Sequence, residues 1–258
     1  MASKILIADD EESIRFTFKT FLENEGYEVD AVETLAAGLQ LLDDSYDLIF
    51  LDIYLGRDNG LSLLHEVQSR RLLCPVVMIT GSPEIASAAE SLRYGAFDYI
   101  CKPVTQLILL QVAAKALEHK RLLCEKETFR MRLEGLFRCA TEGIVMTDND
   151  LRVVAVNKSA RTLLGLDDSV VGCRLDQLPN MQYPIFSRFC DIIRSRFDGE
   201  IYRLQCHGAD GSSQFVSMSA SPLINDDGTD YGGVLIIRDE NRRGNADEIN
   251  GSLSGSLP

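Results

Sequence analysis

Charged and hydroxyl side chains stand at the ends of four apolar runs in the first half of the chain. They are Asp9 and Asp10 after "ILIA", Asp52 at the end of "DLIFLD", Thr80 at the end of "VVMIT", and Lys102 after "FDYIC". If these runs are neighbouring parallel strands, their carboxyl ends meet at one edge of a sheet. Each residue alone could be an ordinary cap or turn residue, but the four strand ends together indicate a site.

Three carboxylates in one cleft predict a bound cation. Without one they repel and raise one another's pKa, and Mg²⁺ suits a site of few carboxylates and several waters. A carboxylate in such a site can attack phosphorus and form an acyl phosphate, which an ammonium and a hydroxyl then stabilise. The pattern predicts Asp52 as the phosphoacceptor, Asp9 and Asp10 as metal ligands, and Thr80 and Lys102 as phosphate-binding groups.

Alternating strands and helices over residues 3–120 would position these side chains. Short, nearly continuous apolar strands separated by amphipathic helices are typical of a parallel sheet covered on both faces. The predicted strands are 5–8, 27–32, 48–51, 76–79 and 97–100, with helices that include 13–25 and 60–71. Glu11 and Glu12 are predicted to open the first helix, where acidic residues interact favourably with the helix dipole. Five such repeats predict a doubly wound α/β domain.

A long helix is predicted from residue 105 to residue 137, a stretch rich in helix formers with no proline and a single glycine. Apolar residues recur along it at seven-residue spacing, at Leu122, Phe129 and Leu136, with Leu133 between the last two. This spacing favours pairing with a second copy of the chain. Because polar residues interrupt the second seam position, a lone connector helix that packs on its own domains is the alternative.

The second half of the chain has a different pattern, with short strands joined by Gly/Asp turns and separated by short helices. This pattern predicts an α+β domain with an antiparallel sheet. The predicted organisation is a first domain over 1–120, a helical linker over 121–137 that can form a coiled coil, a second domain over 138–240, and a polar, Gly/Ser-rich, disordered tail over 241–258.

The overall composition narrows the choice of partners and location. With 26 Lys and Arg against 39 Asp and Glu, the net charge is −13, which argues against direct binding of nucleic acid or of an anionic membrane surface. No apolar stretch approaches the ~18–20 residues of a spanning helix, and no signal peptide is recognised. The seven scattered cysteines include no CxxC pair and fit a reduced cytosol. We therefore expect a cytoplasmic protein without membrane insertion.

Residues 3–120 resemble the receiver domain of two-component response regulators, through "ILIADDEESIR", "DLIFLDIYLGRDNGLSLL", "VVMITG" and "GAFDYICKP". The resemblance implies a flavodoxin-like (βα)₅ fold, Mg²⁺ dependence, and phosphoryl transfer to Asp52 from a histidine kinase or phosphotransfer protein. It implies the Tyr54 backbone carbonyl as a further metal ligand, and a cis Lys102–Pro103 bond. It also places Tyr54 and Ser82 where residues tune how fast water removes the phosphoryl group.

The resemblance further implies that Tyr99 is an aromatic switch that moves inward when the hydroxyl of Thr80 is drawn to phosphate. The alternative is a surface aromatic on a strand, in keeping with the strand preference of tyrosine.

Residues 137–240 resemble a PAS domain, through "LFRCATEGIVMTDNDLRVVAVNKSARTLLGLDDSVVGCRLDQL", "GADGSSQFVSMSASPL" and "GTDYGGVLIIRDE". Asn157 matches the family's frequent helix-capping asparagine. Asp239 falls at the end of the last strand, where PAS domains commonly pass on their signal; a turn or cap role is the alternative.

The PAS ligand is unknown. "GCRLDQ" is faintly similar to the flavin-binding subclass, but Gly172 stands where that subclass has asparagine. Haem would need a histidine that faces the pocket, and His207 falls in a predicted turn. A small molecule in an apolar pocket, or no ligand and a role in dimerisation, both stay open.

These observations together predict a two-component response regulator whose phosphorylation changes dimerisation or partner binding. The chain shows no transmitter histidine box, P-loop or basic helix-turn-helix, so we expect no enzyme activity beyond its own phosphorylation and dephosphorylation. The alternatives are a regulatory portion of a larger hybrid histidine kinase or cyclic-dinucleotide enzyme, and a phosphate sink that drains a kinase without output.

Overall fold

The computed structural model describes residues 2–81, 95–175, 184–207 and 213–240. The chain divides into two compact units, Met1–Arg130 and Met131–Pro258. Ser82 and the predicted disordered tail, 241–258, lie outside the described residues. None of the helices in the described ranges combines the length and apolarity needed to cross a bilayer.

The first unit is built on a parallel five-stranded sheet. Its strands are β1 (Lys4–Ala8), β2 (Glu28–Val32), β3 (Leu48–Asp52), β6 (Val76–Thr80) and β7 (Asp98–Cys101), in the order β2-β1-β3-β6-β7. Between β3 and β6 the chain forms a two-stranded hairpin, β4 (Tyr54–Leu55) and β5 (Asp58–Asn59). The parallel register and this strand order are those of a flavodoxin-like fold, which confirms the predicted fold class.

Helices cover both faces of this sheet, because successive side chains along each strand point to opposite faces. The helices are α1 (Glu12–Asn24), α2 (Leu35–Leu41), α3 (Leu61–Ser69) and the first part of α4 (Gln106–Cys139). Ile5 and Ile7 of β1 pack in one cluster with α1 and α4, whereas Leu6 and Ala8 pack in the other with α2 and α3. All four are fully buried, which accounts for the near-continuous apolar run.

Helix α4 changes its surroundings along its length. Its first turns bury residues at helical spacing, namely Leu109, Val112, Ala113 and Ala116. Further along the helix, Lys120 Nζ lies 2.8 Å from Asp47 Oδ1. This ion pair marks the end of the part of α4 that packs on the parallel sheet. Beyond this point most of its large apolar residues are exposed, namely Leu122, Phe129, Met131, Leu133 and Leu136, whereas Leu123 and Phe137 are half-buried. The predicted long helix is confirmed, and the division at 120 and 121 remains a prediction.

The second unit has an antiparallel sheet of five strands. They are β8 (Gly143–Thr147), β9 (Val153–Val156), β10 (Gly199–His207), β11 (Ser213–Ile224) and β12 (Asp230–Asp239), in the order β10-β11-β12-β8-β9. Helices α5 (Lys158–Leu164) and α6 (Pro184–Ser195) pack with one apolar cluster that includes Phe186, Phe189 and Leu235. The predicted α+β architecture is confirmed.

Candidate functional site

The acidic residues that follow β1 and end β3 meet at the carboxyl edge of the parallel sheet. One carboxylate oxygen from each of Asp9, Asp10 and Asp52 lies within 4.8 Å of the other two. They come together because β1 and β3 are adjacent, with Ala8 opposite Leu51. Asp9 and Asp52 are buried and Asp10 is exposed. The cluster is therefore open to solvent on one side.

Lys102 lies among these carboxylates. Its Nζ is 2.7 Å from Asp52 Oδ2, 2.7 Å from Glu11 Oε1 and 2.9 Å from Asp9 Oδ2. Burial by itself would lower the pKa of Lys102, but the contacts with Asp52, Glu11 and Asp9 outweigh burial and raise that pKa well above its ordinary value. The ammonium therefore stays charged and partly neutralises the cluster.

Asp9 shows why the cluster suits a metal ion. Burial raises the pKa of Asp9, although the contact with Lys102 and the Glu11 N–H, 2.9 Å from Oδ1, lower it in part. The Asp9 Oδ2 contact with Lys102 is close enough for an ion pair but lacks hydrogen-bond geometry, so this buried oxygen has no hydrogen-bond donor among the described residues. A hard divalent cation would satisfy the oxygen and relieve the repulsion from Asp52. The donor set fits Mg²⁺.

The β4–β5 hairpin supports two of the carboxylates through its backbone. The Tyr54 N–H donates to Asp52 Oδ1 at 3.1 Å, and the Gly56 N–H donates to Asp10 Oδ2 at 3.1 Å. The Tyr54 residue is 60% exposed. These contacts hold the carboxylates in place without using their remaining lone pairs.

Thr80 and Tyr99 lie on β6 and β7, the two strands on the side of β3 away from β1. Thr80 ends β6, is buried, and accepts the Lys102 backbone N–H on its carbonyl at 2.7 Å. Tyr99, on β7, is half-buried and packs against the α2–α3 cluster. Its hydroxyl oxygen is buried and has no hydrogen-bond partner within the described ranges, so the ring is not a simple surface aromatic. The Lys102–Pro103 bond is cis.

Glu11 has a contact that the sequence did not reveal. It occupies the N-cap position of α1, but its side chain makes no capping hydrogen bond. Its carboxylate reaches Lys102 instead. Glu12 lies in the first turn, as predicted. The prediction that Glu11 only opens the helix was therefore incomplete, because its reach to Lys102 depends on how β1 and β7 are placed.

Asn157 is a central polar residue of the second unit and is only 2% exposed. Its Oδ1 accepts from the N–H groups of Ala160 and Ile144, both at 2.8 Å. Its Nδ2 donates to the carbonyls of Glu142 at 2.9 Å and Phe137 at 3.2 Å. Asn157 caps α5 and joins the end of α4, β8 and α5.

Asp239 ends β12, where it lies opposite Val216. Its neighbour Arg238 forms an ion pair with Glu142, with Nε 2.6 Å from Oε1. The last strand is thus joined by an ion pair to the segment that follows α4, and the signalling role of Asp239 remains a prediction. The His207 side chain lies outside the described residues.

Family comparisons agree with the two folds and with the acidic cluster. Residues 5–114 match the response regulator receiver domain, and residues 141–242 match a PAS domain. The chain is a receiver–PAS protein of the two-component response regulator class. Receiver domains bind Mg²⁺ at an acidic pocket of the kind formed here by Asp9, Asp10 and Asp52.

The chain is similar to a transcriptional regulatory protein and to two solved receiver domains. The alginate biosynthesis transcriptional regulatory protein AlgB of Pseudomonas putida is 34% identical over 169 residues, which are 65% of this chain and 36% of AlgB. The receiver domain of NtrX from Brucella abortus is 39% identical, with 44% of this chain and 98% of that chain covered and a TM-score of 0.42. A CheY-like receiver from Methanospirillum hungatei is 33% identical, with coverage of 47% and 98% and a TM-score of 0.45.

Proposed function

We propose that Asp52 accepts a phosphoryl group from a histidine kinase or phosphotransfer protein, and that the chain signals through its phosphorylated receiver. The observation that carries this proposal is the position of the Asp52 carboxylate, buried and shared between Lys102 and the acidic pair Asp9 and Asp10. A nucleophilic carboxylate with a fixed cation beside it is what phosphoryl transfer to an aspartate requires.

Each neighbouring residue then has a role. Asp9, Asp10, Asp52 and the Tyr54 carbonyl would hold Mg²⁺, which when bound neutralises charge on the transferred group. Lys102 supplies a second positive charge at the acceptor. The Thr80 hydroxyl binds an oxygen of the attached phosphoryl group, and Tyr99 repacks when Thr80 moves. The signal is a shift between two receiver conformations.

Phosphorylation by acetyl phosphate tests this proposal directly. With Mg²⁺ the wild-type chain should gain one phosphoryl group by intact mass, and omission of Mg²⁺ should abolish the gain. Asp52→Ala should not be labelled, and Asp10→Asn should be labelled weakly while it stays folded. Asp43→Asn, an exposed carboxylate outside the cluster, is the control. Equal labelling of Asp52→Ala and wild type would show that Asp52 is not the acceptor.

We infer that the output is a change in homodimerisation, through α4 and the PAS domain. Four of the exposed apolar residues of α4 form one stripe, the α4 seam: Leu122 (51% exposed), Phe129 (64%), Leu133 (50%) and Leu136 (71%). In a parallel coiled coil with this seam, Glu125 of one copy lies opposite Arg130 of the other. Both side chains are more than half exposed in the single chain, where Glu125 pairs with Arg121 and Arg130 pairs with Glu127, so pairing between copies would exchange these exposed ion pairs for others.

Substitutions in the α4 seam should weaken self-association. Phe129→Ser with Leu136→Ser is expected to raise the dimer dissociation constant at least about 100-fold, because each buried apolar side chain contributes about 1.5–3 kcal/mol. Met131→Ser is the matched control, since Met131 is 56% exposed but lies off the seam. Sedimentation of the full chain, with and without acetyl phosphate, measures the effect. An unchanged dimer fraction in the double variant would rule out the seam.

A second candidate function is that these residues regulate a larger protein. It is favoured by AlgB, of which the match covers only 36%, so AlgB contains much that this chain does not match. AlgB itself is a transcriptional regulatory protein; a hybrid histidine kinase and a cyclic-dinucleotide enzyme are the other larger proteins that such residues could regulate. A receiver without phosphorylation-dependent dimerisation or binding would instead favour a phosphate sink.

For the chain itself we propose no enzyme activity beyond its own phosphorylation and dephosphorylation, no direct nucleic-acid contact, and a cytoplasmic location. The net charge of −13 and the scattered cysteines support the last two.

A further inference from the structure

We propose that Glu11 restrains phosphorylation by occupying Lys102, so that the Glu11–Lys102 contact must break before Lys102 can bind the phosphoryl group. This inference rests on the proposed role of Asp52 as phosphoacceptor. It assigns to Glu11 a positioning role for the reaction, because its carboxylate contacts Lys102 at 2.7 Å and takes no part in bond formation.

The Lys102 ammonium is already surrounded by carboxylate oxygens. Three carboxylate oxygens crowd its Nζ: Asp52 Oδ2 and Glu11 Oε1 accept hydrogen bonds at 2.7 Å, and Asp9 Oδ2 lies 2.9 Å away as an ion-pair partner. Only 13% of the side chain is exposed, so water has little access to it. A phosphoryl oxygen can therefore bind Lys102 only if one of the carboxylates leaves.

Exposure decides which carboxylate leaves. Asp9 is buried within the acidic cluster, and Asp52 is itself the acceptor. The Glu11 side chain is 55% exposed, so its carboxylate can turn into water with little loss of solvation. Glu11 is thus the partner that Lys102 can exchange for a phosphoryl oxygen.

Charge adds to this competition. A phosphoryl donor such as acetyl phosphate is an anion, and Glu11 adds one more negative charge at the open side of the cluster. During transfer, one Asp52 oxygen forms a bond to phosphorus while the bond from phosphorus to the acetate oxygen breaks and acetate leaves with the electron pair. The phosphoryl group attached to Asp52 then carries negative charge. The Lys102 N–H that donates to Glu11 before the transfer is needed to stabilise this charge.

Three variants separate contact from charge. Glu11→Gln removes the charge, and Glu11→Asp keeps the charge on a side chain one methylene shorter, which withdraws it from Lys102. Glu12→Gln, at the next position in the first turn of α1, removes the same charge from a residue that is not one of the three around Lys102, and serves as the matched control. Because Glu11 makes no capping hydrogen bond, its replacement leaves the helix start intact.

The full chain is tested in two ways. With acetyl phosphate and Mg²⁺, initial labelling of Glu11→Gln should be about fivefold faster than wild type, the scale of an ion pair partly open to water. Glu11→Asp should also be faster, and Glu12→Gln should equal wild type. In the metal-free protein, the Lys102 ammonium protons should exchange with water faster in Glu11→Gln and Glu11→Asp, as followed by NMR.

The outcomes separate this inference from the proposed function. An unlabelled wild type would refute phosphorylation at Asp52, yet the proton-exchange measurement would still decide whether Glu11 holds Lys102. Glu12→Gln as fast as Glu11→Gln, or Glu11→Asp no faster than wild type, would overturn the inference in favour of charge alone. Unchanged Lys102 proton exchange in both Glu11 variants would overturn the contact itself.

Discussion

Gly60→Ala is expected to destabilise the receiver by about 3 kcal/mol, within the range of overpacked sites, and to slow phosphorylation at least about tenfold. A Cβ built on Gly60 would lie 2.1 Å from the carbonyl oxygen of Asp52. The obstacle is backbone, so no side-chain rotation can relieve it. Gly60 also donates its N–H to the Ile53 carbonyl at 2.8 Å and is the N-cap residue of α3. Either α3 or the end of β3 must move, and the end of β3 carries Asp52.

The Gly60 prediction can be measured by hydrogen exchange and by labelling. Amides of β3 should lose protection in Gly60→Ala, and the initial rate of phosphorylation by acetyl phosphate should fall. Gly81→Ala is the control for stability, because a Cβ there meets nothing within 4 Å and its backbone is outside the left-handed region. Protection in β3 equal to that of the Gly81 variant would contradict the steric argument.

The parallel sheet could be predicted because its strands are buried on both faces. Ile5, Leu6 and Ile7 are all fully buried, and short continuous apolar runs between amphipathic segments are typical of such strands. The β4–β5 hairpin could not be predicted in this way, since each of its strands has two residues and two residues show no periodicity. Its position depends on the contacts of Tyr54 and Gly56 with the carboxylates.

The candidate site was predictable where a side chain ends a strand, because strand order alone brings such ends together. Asp9, Asp52 and Lys102 meet for this reason. The contact of Glu11 with Lys102 was not predictable, because besides the placement of β1 and β7 it depends on the conformation of a partly exposed side chain. The buried Tyr99 hydroxyl likewise depends on packing between β7 and its neighbours.

Asn157→Ala is expected to destabilise the PAS domain by about 3 kcal/mol, the sum of a lost helix cap and of buried backbone groups left without partners. The side chain serves four backbone groups at 2.8–3.2 Å. It is 2% exposed, so water cannot replace it without opening the structure. Because the four groups belong to the end of α4, the segment after it, β8 and α5, the loss should loosen the junction between α4 and the PAS sheet as well as the cap.

Two further variants, Asn225→Ala and Asn157→Asp, distinguish the buried hydrogen bonds of Asn157 from those of an asparagine in an exposed turn. Asn225→Ala removes a side chain whose Oδ1 also accepts from two backbone N–H groups, those of Asp227 and Thr229 at 3.1 Å, but in an exposed turn. Its effect should stay below about 1 kcal/mol, because water can take over those bonds. Asn157→Asp keeps both acceptor bonds but turns a buried carboxylate oxygen toward the carbonyls of Glu142 and Phe137, which are also acceptors, so at neutral pH it should destabilise the domain at least as much as Asn157→Ala. Hydrogen exchange of β8 measures all three, and equal protection in the two alanine variants would mean that burial of Asn157 adds nothing to its hydrogen bonds.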